Sequence, residues 1–475
     1  MRLGDILQNL TGEDALKPIT GFAIDHRQIA PGNIFGAFQG AKFNAEKVIP
    51  QAIAAGAIAV VAREGVNVDG AHLIADAVPR RRFAQIAAQY FRPFPQATVA
   101  VTGTNGKTST VELTRQLWRL AGRNAASIGT LGITTGSENV RTGLTSPDIV
   151  TFLSNMAGLA REGVSHAAFE ASSHGLDQYR SEGLPIRAAA FTNLSRDHLD
   201  YHDSMEAYFE AKMRLFDEVL DENGTAVIWA DDEWSDAVFD RVAKRSLRRI
   251  TVGQRGEGLR LIAQTPTQLG QMLEVEAQGR LKKINLPLIG AYQANNALTA
   301  AGLVIATGGD WDDVSEHLSR LQPVRGRLER AVISRSGAPV YIDYAHTPDA
   351  LVAACEALRA HCKGRLITVF GAGGDRDTGK RAEMGAAAAR LSDTVIVTDD
   401  NPRSEDPAAI RKAVRDGAPD AQEIGDRREA IAAAIAMAKP DDIVLVAGKG
   451  HEQGQIVGDQ VLPFDDVQVA REVSA

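Results

Sequence analysis

Short apolar runs alternate with amphipathic stretches along most of this chain, and the change of period between them marks out its elements. Ile34-Phe35-Gly36-Ala37-Phe38 and Ala57-Ile58-Ala59-Val60-Val61 have the character of strands, and Arg80 to Tyr90 has the spacing of a helix. The prolines of Arg92-Pro93-Phe94-Pro95 stop that helix, so residues 1–96 are predicted to form a small α/β unit that ends in a linker. From Thr98 the pattern repeats strand and then helix. Thr98 to Val101 is apolar and β-branched, and Leu113, Leu117 and Leu120 recur at helical spacing before Gly122. Further strands are expected at Ala167 to Ala171, Ala188 to Thr192 and Thr225 to Trp229. Such alternation predicts a mainly parallel sheet with ligands at the carboxyl ends of its strands. A helix from Gly290 through Leu298 and a turn at Pro323 to Arg327 close this second unit, residues 97–324. Three later strands, starting at Leu366, Thr394 and Ile443, each empty into a polar or glycine-rich loop. They predict a third α/β unit over residues 325–475, with the three loops converging on a second ligand.

Length agrees with this division, because 475 residues exceed one ordinary core and suggest about three domains. A net charge of -8 without a basic run argues against nucleic acid as the main partner, so anionic ligands must meet local positive sites. Met1 to Thr20 is too charged for a secretory segment, and Ile53 to Ala62 is far too short to span a membrane. Cys355 and Cys362, seven apart in an expected helix, exclude a disulfide framework; a cytoplasmic setting is the expectation.

The chemistry concentrates at strand ends. Thr98-Val-Ala-Val-Thr-Gly103-Thr104-Asn105-Gly106-Lys107-Thr108-Ser109 runs from a strand through a glycine loop into a helix that begins Lys-Thr. Backbone N–H groups and the helix dipole then converge on one point, which suits a polyphosphate. Lys107 would face the β/γ-phosphates and the Thr108 hydroxyl could ligate Mg²⁺. Only two residues separate Gly103 from Gly106, so the loop is shorter than the common form. Glu170 and His198 follow apolar strands and are candidate Mg²⁺ groups; His174 and His202 read equally well as packing groups. His198 and His202 also have the i, i+4 spacing of a zinc helix, without a third ligand. Gly371 to Asp377 only superficially follows a dinucleotide fingerprint. Asp399 to Arg403 and Gly448 to Glu452 offer guanidinium and carboxylate groups that match a zwitterionic amino acid.

Taken in order, these residues resemble the Mur ligase family, ATP-dependent amide ligases that extend the peptide of cell-wall precursors. The resemblance spans nearly the whole chain. It rests on TGTNGKT at 102–108, LTSP at 144–147, EASSHGLDQYR at 170–180, NLSRDHLDYH at 193–202, YFEAK at 208–212, YIDYAHTPD at 341–349, DNPR at 400–403 and GKGHE at 448–452. It implies a UDP-binding first domain, a central ATPase domain and a Rossmann-like third domain. It also implies a monomer whose small-molecule substrates are ATP, a UDP-N-acetylmuramoyl dipeptide and an amino acid. DNPR implies meso-diaminopimelate, whose second carboxylate Arg403 can grip, rather than lysine. By the same resemblance Gly103 to Ser109, Asn296, Arg327 and Asp343 contact ATP. Ile24, His26, Thr145, Ser146, Ser172, Gln178 and Arg180 contact the muramoyl dipeptide, and Arg376, Asp400, Asn401, Pro402, Arg403, Gly448 and Glu452 contact diaminopimelate. Lys107, Glu170, His198 and Lys212 would be catalytic, with Thr108, Glu170, His198 and a carbamylated Lys212 around Mg²⁺. From sequence alone Lys212 reads as a solvated helix residue. The chain departs from the family at Asp25-His26-Arg27, at the loop Gly40 to Glu46 and at Ser109. The competing readings are the same step with L-lysine, a related ligase such as a folylpolyglutamate synthase, and a non-catalytic nucleotide-binding scaffold.

Overall fold

The computed structural model describes residues 1–40, 43–136, 139–140, 145–199, 201–267 and 270–474. Ala41, Lys42, Leu144 and Asp200, which belong to segments singled out above, lie outside them. Among the described residues three large sheets lie in succession along the chain, within residues 21–75, 97–286 and 329–447, followed by a two-stranded hairpin of Gly454–Val457 and Gln460–Pro463.

The first sheet has four parallel strands in chain order: Gly21–Ala23, Asn33–Gly36, Ala59–Ala62 and His72–Ala75. The strands expected from Ile34 and Ala57 thus begin one residue earlier and two later. The helix Pro79–Phe91 starts with a proline at its first turn, where no intrahelical N–H is needed, and buries Phe83, Ile86 and Ala87.

The second sheet has eleven strands. Its parallel centre runs Ala125–Gly129, His166–Glu170, Ala97–Thr102, Ala188–Phe191, Thr225–Trp229, Arg248–Gly253 and Leu259–Thr267. The strand leading into the phosphate loop therefore sits in mid-sheet between the strands carrying Glu170 and Phe191. Antiparallel strands finish both edges. Gly270–Ala277 and Arg280–Leu286 were not anticipated, because their buried and exposed residues alternate, as in a sheet wetted on one face. The helix Lys107–Leu120 buries Val111, Leu113, Leu117 and Trp118 and packs on Ala291–Ala306.

The third sheet is ordered Glu329–Ile333, Pro339–Asp343, Ile443–Ala447, Leu366–Phe370, Thr394–Val397 and Gln422–Glu423, parallel except for its first pair. Asp343 pairs with Ala447 and Phe370 with Val397, so four strand ends finish level and their loops share one edge. Cys355 is buried in the helix Pro348–Arg359, but Cys362 lies past its end; both thiols are free. The expected single helix stops earlier because Gly364 and the next strand follow closely.

Candidate active site

Strand register brings the first chemical groups together. Val101 pairs with Glu170 and Thr102 with Phe191, so three strands end side by side where the chain turns through Gly103 to Gly106. Gly103 has φ +146° and Gly106 φ +85°. A Cβ at Gly103 would strike the Thr192 hydroxyl, and one at Gly106 the Asn296 amide oxygen, so both positions require glycine. The turn is laced to the neighbouring strand end. Thr104 N–H donates to Asn193 O at 2.8 Å, Asn105 N–H to Asn193 Oδ1 at 2.8 Å, and Thr192 Oγ1 to Asn105 O at 2.6 Å.

Two lysines, Lys107 half-buried and Lys212 buried, meet at this loop. Lys107 Nζ donates to Gly103 O at 2.9 Å and Thr104 O at 2.8 Å. Lys212 Nζ donates to the same Gly103 O at 2.8 Å and lies 4.2 Å from the centre of the Tyr208 ring. Lys212 is only 1% exposed, which overturns its reading as a solvated helix residue. The helix Met205–Arg214 turns that face inward, and burial, then the charge of Lys107, hold the Lys212 amine well below the usual lysine range. Lys107 is also lowered by burial, but Glu170 and Asp197 oppose that effect.

Glu170 is buried at the end of its strand. Its Oε1 accepts from Thr130 N–H at 2.7 Å, its Oε2 from Thr130 Oγ1 at 3.2 Å, and it forms no ion pair among the described residues. His198 sits at φ +56° in an irregular segment, with its N–H bonded to Asp197. The zinc-helix reading fails here, since neither His198 nor His202 lies in a helix. Burial holds the His198 imidazole down to about 4, with Asp197 opposing and Lys107 reinforcing. His174 and His202 pack in a cluster of rings: His174 lies 5.0 Å from His198 and 4.0 Å from Tyr201, and His202 lies 5.2 Å from Tyr208.

A cavity of about 890 Å³ joins this region to the carboxyl edge of the third sheet. Thr104 to Ser109, Glu170, His198, Lys212, Asn296, Arg327 and Asp343 line it, and so do Arg376, Asp400, Asn401, Arg403, Gly448 and Glu452. Arg327 crosses between the two units: its Nη2 donates to Thr108 Oγ1 at 3.1 Å and its guanidinium stacks 4.5 Å over Tyr344. Asp343 is buried and accepts from Leu328 N–H at 2.7 Å and Ala345 N–H at 2.9 Å, so it also fixes the chain entering the third sheet. Burial raises its carboxyl. Arg403 has φ +52°, and its Nη1 donates to Gly374 O at 2.6 Å, joining two of the loops.

Thr145, Ser146, Ser172 and Arg180 line the same cavity. Ser146 and Ser172 hydroxyls lie 3.0 Å apart, and Arg180 donates to Ser146 O at 2.8 Å and Gln178 Oε1 at 2.6 Å. Gln178 thus acts behind the wall. Ile24 and His26 lie beyond it, in and just before the turn His26–Gln28 of the first unit, and Pro402 is turned away between Asn401 and Arg403. Sequence reasoning missed Thr130, Asn193, Tyr344, His346 and Lys380 as site residues. They come from four separate strand ends or helix starts, and only the fold assembles them. Asp197 interacts electrostatically with His346 and Lys380 from the facing unit.

Among the described residues no group of three or more His, Cys, Asp or Glu is placed to hold a metal ion. A buried carboxylate without a cation, next to a phosphate loop, nevertheless fits a hard divalent ion whose remaining ligands are oxygens of phosphate, hydroxyl and water.

Known proteins match this arrangement throughout. Residues 101–304 match the Mur ligase middle domain, and residues 326–450 match the Mur ligase glutamate ligase domain. A UDP-N-acetylmuramoyl-L-alanyl-D-glutamate–2,6-diaminopimelate ligase from Zymomonas mobilis is 59% identical, over 96% of this chain and 94% of its own. One from Bradyrhizobium diazoefficiens is 49% identical over 97% of each. A solved ligase of the same name superimposes with a TM-score of 0.74 at 32% identity, covering 100% of this chain and 98% of that one. A MurF from Acinetobacter baumannii, at 18% identity and a TM-score of 0.65, shares the fold. Two domain matches in the order the cleft requires, and relatives alike from end to end, show that this chain belongs to the Mur ligase family of ATP-dependent amide ligases.

Proposed function

We propose that this enzyme joins meso-diaminopimelate to the D-glutamate of UDP-N-acetylmuramoyl-L-alanyl-D-glutamate, converting ATP to ADP and phosphate in the cytoplasmic synthesis of peptidoglycan precursors. The observation that carries the reading is one cavity with a phosphate loop on one wall and, on the other, two arginines and two carboxylates from separate strand ends. The names of the relatives at 59% and 49% identity support the choice of substrates. In this reading residues 1–96 hold the uridine end, 97–324 hold ATP and the dipeptide, and 325–475 hold the amino acid.

The chemistry follows from a simple constraint. An amine does not displace oxide from a carboxylate, but it does displace phosphate. The side-chain carboxylate of the D-glutamate residue attacks the γ-phosphorus of ATP, the bond to the bridging oxygen of ADP breaks, and an acyl phosphate forms. Lys107 and the loop N–H groups hold the transferring phosphoryl group and offset its charge, which is positioning and electrostatics. Arg180 and the hydroxyls of Thr145, Ser146 and Ser172 orient the dipeptide. The amine of diaminopimelate then attacks the acyl carbon, loses a proton and expels phosphate, leaving the amide. Arg403 and Arg376 hold its distal carboxylate, and Asp400 and Glu452 its ammonium.

Mg²⁺, held by Glu170 with the Thr108 hydroxyl, would supply further neutralisation of phosphate charge. The buried Lys212 amine fits a carbamate. A neutral amine can attack CO₂ and release one proton, which replaces a buried neutral amine by an anion in the cavity that Glu170 and His198 also line. The test is phosphate release from ATP with the UDP-muramoyl dipeptide and either meso-diaminopimelate or L-lysine. Release dependent on diaminopimelate supports the reading. Preference for lysine keeps the reaction and removes the clamp role of Arg403, and no release with either refutes the substrate assignment.

A further inference from the structure

Lys449 is fully buried and does not line the cavity, yet it sits directly behind two residues that do. Its Nζ donates to Asn401 Oδ1 at 2.8 Å and to Glu452 Oε2 at 3.3 Å. Asn401 Oδ1 also accepts from Ile456 N–H at 3.0 Å. With that oxygen occupied by two donors, the amide can adopt only one orientation, and its Nδ2 is aimed at Glu452 Oε2, 2.9 Å away. Both donors to Glu452 land on Oε2, which leaves Oε1 as the oxygen available to a ligand.

The same hub fixes backbone. Gln455 Nε2 donates to Asp400 O at 2.8 Å, and Arg403 N–H to Ile456 O at 3.0 Å. The hairpin of Gly454–Val457 and Gln460–Pro463 is thereby bound to the loop that carries Asp400, Asn401 and Arg403. Beneath both loops the fully buried Arg427 pairs with Asp466 and donates to Ala447 O at 2.9 Å, at the strand end that precedes Gly448. Buried cations anchor the scaffold, and the carboxylate they orient faces the cavity.

We infer that Lys449 is a positioning residue for the amino-acid site: it locks the Asn401 amide and through it the Glu452 carboxylate, so that one carboxylate oxygen is presented to the incoming ammonium group. This rests on the reading of that wall as the amino-acid site. Lys449 acts through Glu452 rather than on the ligand, which makes a definite prediction about the two residues together.

Lys449→Met should raise KM for the amino acid about tenfold, equivalent to about 1.4 kcal/mol, with KM for ATP and for the UDP-muramoyl dipeptide changed by less than about twofold. Glu452→Gln should raise the same KM, and the double variant should be no worse than Glu452→Gln alone, since groups acting in series are not additive. Lys449→Gln, which keeps a neutral donor for Asn401, should fall between wild type and Lys449→Met and serves as the measurement if the methionine variant does not fold. Effects of Lys449 and Glu452 that multiply, or a KM for ATP that rises in step with that for the amino acid, overturn the inference. All four proteins are assayed with whichever acceptor wild type uses. Wild-type turnover with another amino acid refutes the substrate reading alone and leaves the test of Lys449 intact.

Discussion

The two walls of the cleft are built in opposite ways. The wall proposed for the phosphates comes mostly from one unbroken stretch, Thr102 to Ser109, whose backbone would do the binding and whose glycines are enforced by neighbours pressed against them. The wall proposed for the amino acid is gathered from strand ends at Phe370, Val397 and Ala447, and its side chains are held by buried groups behind them. A site made of backbone needs the right turn, whereas a site made of side chains needs a scaffold to aim them. A ligase that always uses ATP but accepts one particular amino acid has reason to keep the first fixed and place the second on loops.

The sharpest way to break this contrast is at Lys107. Lys107→Ala should lower kcat for phosphate release by at least about a hundredfold, the scale of removing one charged stabiliser of a transition state. Substantial turnover by that variant would refute the phosphate-wall assignment. Arg403→Ala should instead raise KM for diaminopimelate by roughly ten- to a hundredfold, the worth of about 1.5–3 kcal/mol for a charged hydrogen bond, while KM for ATP stays nearly constant. Equal losses for both substrates would erase the distinction between the walls.

A smaller effect concerns the sheet that carries the phosphate wall. His166, at the far end of the strand from Glu170, is held down to about 4 by burial, with Arg123 and Arg187 adding to it. Its unfolded value lies near 6.5, so between these limits the unfolded chain binds more protons. The stabilisation it gives is therefore complete above about pH 6.5 and is lost as pH falls towards 4. Because the ring is half-exposed, solvent screening keeps the slope to a fraction of a proton. Urea unfolding at pH 4.5 and 7 should show a smaller pH dependence for His166→Gln than for wild type; identical dependence would remove His166 from the account.

The same contrast explains what the sequence disclosed. The phosphate loop was legible because its chemistry is contiguous and its period changes from strand to helix within a dozen residues. Glu170 was legible as a polar end to an apolar run. Lys212 was misread by its local surroundings, since Glu and Ala beside a lysine say nothing of which helix face turns inward. Thr130 and Lys380 carried no local mark, and His346 and Lys449 lay inside the motifs YIDYAHTPD and GKGHE without a role of their own, because their partners lie tens to hundreds of residues away. The antiparallel edge strands Gly270–Ala277 and Arg280–Leu286 were hidden for another reason: their residues alternate between buried and exposed, so no apolar run announces them. Ile24 and His26 were named by resemblance, and the fold sets them outside the cavity wall.

One carbonyl oxygen, that of Gly103, receives hydrogen bonds from both Lys107 and Lys212. Two full positive charges on a single acceptor repel one another, so the fold cannot treat the two amines alike. Lys107 has Glu170 and Asp197 to favour its proton, whereas Lys212 has Asp197 and the opposing charge of Lys107. Burial lowers both amines, and the charge of Lys107 lowers Lys212 further, so a proton is held more readily on Lys107 than on Lys212. Two residues identical in the genetic code thus differ in how readily each carries charge, through burial first and then through the neighbouring charges each can see.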